Sequence, residues 1–119
     1  RMKKEGIRIL VGGDYGLDIA PHGTYAKDLE HYVNLFGFSN AEALHAATSL
    51  GGKAMDPNGS LGTLEEGKLA DLVIIKGNPW EDITVLQNKE CIDTVMKDGL
   101  MYKGLLNSKN PYLLGNEIN

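Results

Sequence analysis

The sequence predicts a mixed α/β chain: a strand and helices come first, and a β-rich half follows. Three observations carry that division. Ile7 to Val11 is a short, mostly apolar run that ends at Gly12-Gly13-Asp14-Tyr15-Gly16, as a strand covered on both faces of a parallel sheet does. Tyr25, Leu29, Tyr32, Val33 and Phe36 recur at helical spacing and form one apolar stripe. Further on, Gly59, Gly62 and Gly67 precede the β-branched run Leu72 to Ile75, which is turn chemistry leading into a buried strand.

Composition narrows the function classes. Hydrophobic residues make up 42% and charged residues 24% of the 119 positions, which suits a folded domain and excludes disorder along the whole length. A formal charge of −4 without a basic cluster argues against nucleic acid as a partner. No apolar run approaches the ~20 residues needed to cross a bilayer. The run after Lys3-Lys4 is interrupted by Arg8 and is too short for a secretory segment. No membrane partner is expected, and the chain reads as cytoplasmic. The lone Cys91 cannot close a disulfide within the chain, which fits a reducing compartment. It is expected to act as a small apolar residue in a strand.

Each element has its own signal. Arg1 to Glu5 favours helix, and Gly6 stops it as a residue just past a helix end would. No cap precedes it, so the chain reads as beginning inside a larger structure. The strand Ile7 to Val11 needs neighbouring strands for its backbone groups. A helix is expected from about Thr24 to Phe36, with Lys27, Asp28, Glu30 and Asn34 off the stripe and Gly37 as terminator. Ser39-Asn40-Ala41-Glu42 is a capping box opening a second helix to about Leu50. Ala41, Leu44, Ala47 and Thr48 are its small or apolar contacts. Gly51-Gly52 is expected to break that helix, with one further turn at Lys53 to Met55 before Asp56-Pro57-Asn58-Gly59.

Strands are then expected at Asp71 to Lys76, near Ile83 to Leu86, at Cys91 to Lys97 and at Leu100 to Lys103, with a turn at Gly77-Asn78-Pro79-Trp80. Asp98-Gly99 is the hairpin signal between the last two, since both residues tolerate positive φ. Asp71 is expected to bond backbone amides, Trp80 to pack in the β-rich part and Lys68 to lie at the surface. The tail from Gly104 carries little pattern, although Tyr112, Leu113 and Leu114 offer docking contacts. The resulting division is residues 1–55, 56–104 and 105–119.

Asp14 is the leading chemical candidate. It sits at the C-terminal end of a strand and before a helix, where α/β barrels hold catalytic groups; alternatively its carboxylate caps its own turn. Asp18 is either a second carboxylate beside it or a solvated loop residue. His22, in Pro21-His22-Gly23, is placed to reach the polar end of a substrate or to serve as an ordinary loop histidine. His31 and His45 lie on helices without His-Glu-x-x-His spacing and read as ordinary helical residues. The glycine-rich loop around Asp14 lacks both a Gly-x-Gly-x-x-Gly pattern and a Walker lysine, so its glycines serve the turn rather than a phosphate.

The stretch Ser60-Leu61-Gly62-Thr63-Leu64-Glu65-Glu66-Gly67-Lys68-Leu69-Ala70-Asp71-Leu72 resembles the Ser-x-Gly-x-Leu-x-x-Gly-x-x-Ala-Asp-Leu passage by which amidohydrolase-superfamily enzymes return to their β-sandwich after the barrel. The likeness covers about residues 3 to 103. It follows the order strand, Gly-x-Asp, Pro21-His22-Gly23 loop, amphipathic helix, capped helix with Ala46-Ala47-Thr48, glycine-rich turn. It points to the imidazolonepropionase-like and prolidase-like branch. Gly13 stands where that branch commonly has threonine, and Tyr15 where a small residue is common.

The resemblance implies the last βα unit or units of a metal-dependent (β/α)8 TIM barrel, followed by the C-terminal part of a small β-sandwich. It implies a C-terminal fragment or subunit of a hydrolase that cuts amide, cyclic-amide or dipeptide C–N bonds with a metal-activated water. On this carry-over Asp14 binds a divalent metal, zinc by expectation and one or two ions, and accepts the water's proton, while His22 binds substrate. A catalytic zinc site draws on about three protein ligands. The family's His-x-His, its carboxylated lysine or glutamate and its later histidines have no counterparts here. The remaining ligands are therefore expected from a missing N-terminal barrel portion, in the same parent chain or a separate subunit. The segment alone is expected to be inactive, and the assembly oligomeric. The alternative is a non-catalytic structural or assembly module that retains the sandwich, its exposed strand and helix stripe covered by a partner.

Overall fold

The computed structural model of the chain describes residues 2–18 and 20–104. The expected tail, with Tyr112, Leu113 and Leu114, lies outside the described residues. Met2–Glu5 forms a single 3-10 turn, and Gly6 ends it at φ 71°. Beyond it, residues 7–15 form no ladder. Ile9 and Val11 pack against the core, whereas Ile7 and Leu10 remain 51% and 44% exposed. From Arg8 to Val11 the exposure alternates with the period of two of an extended chain covered on one side only, and Ile7, on the covered side by parity, lies beyond the core. The expected strand, covered on both faces, is thus not formed among the described residues: a ladder needs a neighbouring backbone, and the sheet present pairs other segments.

Helix α1 spans Lys27–Asn34, shorter than expected at both ends. Thr24 gives its hydroxyl to the Pro21 carbonyl at 2.7 Å, which holds the preceding residues in a turn. Leu29 and Tyr32 are buried, but Tyr25 and Phe36, expected on the same stripe, are 51% and 58% exposed. Gly37 terminates the helical region at φ 71° and lets the Phe38 amide reach the Tyr32 carbonyl at 3.1 Å.

Helix α2, Asn40–His45, opens with the capping box intact: the Glu42 amide donates to Ser39 Oγ at 3.2 Å and the Ser39 amide to Glu42 Oε2 at 2.8 Å. The helical path does not break at Gly51-Gly52. It widens into a π turn over Ala46–Leu50 and continues as α3, Gly51–Met55. Close approach explains the second glycine, since a Cβ at position 52 would lie 2.6 Å from Gly62 Cα.

Beyond the Asp56 turn, which that carboxylate closes by accepting from the Asn58 and Ser60 amides at 2.9 Å each, come three strands. They are β1 Leu72–Ile75, β2 Ile92–Lys97 and β3 Leu100–Lys103, antiparallel in the order β1-β2-β3. Val73 faces Val95, and Lys97 faces Leu100 across the hairpin. Asp98 and Gly99 sit at φ 51° and 74°, as a tight two-residue connection requires. Asp71 performs its expected task, accepting the Asp98 amide at 2.6 Å.

Four expectations need correction. Leu72 to Ile75 is not a buried strand, for Val73 and Ile74, which point to opposite faces of the sheet, are each 53% exposed, so neither face is fully covered there. Ile83–Gln87 is a 3-10 turn rather than a strand: Asp82 accepts the Thr84 amide at 2.9 Å and satisfies the backbone locally. Trp80 is 63% exposed instead of packed. Lys68 is drawn partly inward by Thr63 and Glu65. Ile83 joins Leu29, Tyr32 and Ala43 in the core, with Ile9, Val11 and Phe38 against it. One apolar cluster thereby unites the helices, the N-terminal segment and the region after β1.

Candidate functional site

The loop after Val11 is organised by two glycines and a group of aromatic rings. A Cβ at Gly13 would sit 2.9 Å from the Tyr15 ring and 3.0 Å from Asp28 Oδ2. The two departures from the family pattern are therefore coupled: a tyrosine at 15 takes the space that any side chain at 13 needs. Tyr15 packs edge-on to Tyr25 with centroids 4.4 Å apart and reaches the Tyr25 carbonyl at 3.4 Å. Its phenol is pushed up to about 12, first by burial and then by the Asp28 carboxylate, so it stays a neutral donor at physiological pH.

Gly16, at φ 111°, turns the chain back, and its amide donates to the Ala20 carbonyl at 2.9 Å. His22 returns over this turn. Its Nδ1 lies 2.6 Å from the Tyr25 hydroxyl, and its Nε2 lies 3.0 Å from where a Cβ on Gly16 would be. Asp14 is exposed. Among the described residues no hydrogen bond or ion pair engages it, and none joins it to His22. The alternative role, capping its own turn, is not adopted there. Asp18 is exposed and makes no pair with Asp14. His31 is a half-buried residue of α1, and His45 on α2 bonds Ser49 Oγ at 2.7 Å; both are ordinary helical residues.

Sequence reasoning passed over Tyr25 and Asp28 as neighbours of this loop. Tyr25 was counted in the helix stripe because it has the right spacing, yet it precedes α1 and its ring turns to Tyr15 and His22. The available signal was Tyr15 itself, a bulky residue where the pattern has a small one.

A metal makes a clear demand on the donor set. Among the described residues no three of His, Cys, Asp and Glu converge on a common point, whereas a catalytic zinc site uses about three protein ligands. By themselves these residues do not fit a metal centre. Among the described residues the loop offers two unengaged carboxylates, those of Asp14 and Asp18, and of these Asp14 stands directly after the N-terminal extended segment.

The amidohydrolase family model matches residues 1–101. The chain belongs to the amidohydrolase family. Ochratoxinase of Aspergillus niger is 36% identical over 102 residues, which are 85% of this chain and 20% of that protein. Its crystal structure superposes on 86% of the chain with a TM-score of 0.75. A Xaa-Pro dipeptidase crystallised with methionine in its active site is 41% identical, with a TM-score of 0.76 over 86% of this chain and 24% of that one. A putative prolidase from Bifidobacterium longum is 32% identical, with a TM-score of 0.76 over 94% of this chain and 28% of that one. The amidohydrolase segment described here thus spans about a fifth to a quarter of the length of these relatives.

Proposed function

We propose that this chain is the C-terminal part of a metal-dependent amidohydrolase that cleaves C–N bonds in amides, cyclic amides or dipeptides. The observation that carries the reading is the exposed Asp14 carboxylate, without a partner among the described residues and inside the family-matched region. An exposed, unengaged carboxylate suits one ligand of a site completed by residues outside this chain, in the same polypeptide or a companion subunit. Neighbours named as a Xaa-Pro dipeptidase and a prolidase make dipeptides the first substrates to assay and zinc the first metal.

A divalent cation held by Asp14 together with ligands from outside this chain would supply a water acidified toward neutrality. The Asp14 carboxylate would serve at one Oδ as general base, accepting a proton from the attacking water, and then as general acid, passing it to the leaving nitrogen. His22 contacts the polar end of the substrate. Asp14→Asn in the complete enzyme is expected to lower kcat/KM by at least about 10²-fold; activity within twofold of the parent would sink the assignment. The 119-residue chain alone is expected to be inactive and to bind zinc only weakly, so a stoichiometric, tightly held ion would refute the need for outside ligands.

A second reading, a non-catalytic assembly module, draws on the exposure of Val73 and Ile74 on β1. It predicts that Asp14→Asn changes nothing in the complete protein, which makes the same variant decide between the two.

A further inference from the structure

His22 is an exposed loop residue, and an exposed imidazole normally samples several rotamers. Here two neighbours restrict it. The Tyr25 hydroxyl meets Nδ1 at 2.6 Å, and the ring rests so close to Gly16 that a Cβ there would lie 3.0 Å from Nε2. Tyr25 is itself fixed, because its ring is clasped edge-on by Tyr15 and its carbonyl accepts the Tyr15 phenol. A phenol is a better donor than acceptor, since its lone pair is delocalised into the ring, and Nδ1 of a neutral imidazole is a good acceptor. With the Tyr25 O–H pointing at Nδ1, the ring proton sits on Nε2, beside Gly16, which is two residues beyond Asp14 in sequence.

We infer that Tyr25 is a positioning residue that fixes the His22 imidazole as an Nε2–H donor over Gly16, selecting substrates that present an oxygen acceptor, a carboxylate or carbonyl, next to the scissile bond. This rests on the hydrolase reading above for the substrate, while the positioning itself does not. Orientation by an outer partner is a common device for histidines at functional sites, because the bond at one nitrogen decides what the other offers. Tyr15 and Gly13 then belong to the same device, since the ring that holds Tyr25 lies 2.9 Å from where a Cβ at position 13 would be.

The test has two arms. In the 119-residue chain, without substrate, nuclear Overhauser contacts between the His22 ring protons and the Gly16 Hα protons are expected. Tyr25→Phe, which keeps the ring and removes only the hydroxyl, is expected to abolish them. In the complete enzyme the same variant is expected to raise KM for a Xaa-Pro dipeptide about fivefold, with kcat within about twofold, as loss of one net hydrogen bond implies. His22→Ala, which leaves Tyr25 in place, is expected to raise KM in the same way and serves if Tyr25→Phe does not fold. Unchanged contacts in Tyr25→Phe would overturn the positioning role. An unchanged KM in His22→Ala would overturn the substrate contact at Nε2. Failure of the hydrolase reading shows separately, as full activity in Asp14→Asn, because the contacts are measured with no substrate present.

Discussion

Residues 39–55 and residues 7–18 lie on the same small core, yet they treat their polar groups in opposite ways. In the helical region the donors and acceptors close on one another. Ser39 and Glu42 cap reciprocally, Thr48 bonds back to the Leu44 carbonyl at 2.7 Å, and Asn40 holds the Trp80 and Glu81 carbonyls at 3.0 Å each. In the N-terminal segment residues 7–15 form no ladder, and Asp14 engages nothing among the described residues. Satisfied polar groups stabilise the fold that contains them. Unsatisfied ones at the surface are available to something else. The contrast separates the residues whose polar groups build this chain from those whose polar groups it leaves unengaged.

The largest expected effect tests the helical side. Gly52→Ala places a Cβ 2.6 Å from Gly62 Cα and 2.7 Å from Gly62 N, backbone atoms that cannot swing aside. Overpacking of this kind costs about 1–3 kcal/mol, against a helix-propensity gain of about 1 kcal/mol. A net loss of up to about 2 kcal/mol is expected in urea unfolding. Gly51→Ala is the control, because its Cβ meets only the Ala46 carbonyl at 3.2 Å and its φ of −61° is helical. Equal losses for the two variants would show that the glycines serve the helix and not its contact with the loop at Gly62.

The same contact explains part of what was hidden in the sequence. Gly51-Gly52 looks like a helix stop because glycine is a poor helix former. Only the approach of Gly62, ten residues on, shows that position 52 needs the absence of a side chain. The local devices were legible: the Ser39 box, the Gly37 stop, the Asp98-Gly99 hairpin and the Asp71 carboxylate each act within their own element or across one pairing. The strand at Ile7 to Val11 was misjudged for the opposite reason. Its apolar run reports burial, but pairing depends on strands that the run does not contain. At the candidate site Asp14 and His22 could be singled out from motif and position. Tyr25 and Asp28 could not, because their role arises from how the Tyr15 ring folds back between them.

Ser39→Ala comes next in size. Loss of the hydroxyl leaves the Glu42 amide without its partner and is expected to cost about 1 kcal/mol. The other half of the box sets a pH dependence. Glu42 is held down at about 2, first by the Lys3 ammonium and then by the Ser39 amide and hydroxyl. A carboxyl whose folded value lies below its ordinary 4.5 contributes stability that is complete above pH 4.5 and is lost as pH falls toward 2. Asp56, Asp71 and Asp82, lowered mainly by local hydrogen bonds, add slopes of the same sign. The Glu42 share is read as the difference between the parent and Glu42→Gln. Since the group is exposed, that difference is small, and a profile identical in both proteins between pH 4.5 and 2 would mean the Lys3 contact is screened away.

The smallest effect on stability is expected where the effect on activity is greatest. Asp14→Asn preserves shape and removes a charge that no described partner uses, so the unfolding free energy of this chain should change by no more than about 0.5 kcal/mol, as for surface substitutions away from structural features. A residue retained for its own turn behaves otherwise: loss of a capping carboxylate costs about 1 kcal/mol. Measuring both quantities on one variant therefore tests the contrast between the two regions directly. A stable, inactive Asp14→Asn assigns the carboxylate to chemistry, whereas a destabilised, active one returns it to the turn and leaves Asp18 as the unengaged carboxylate of the N-terminal segment.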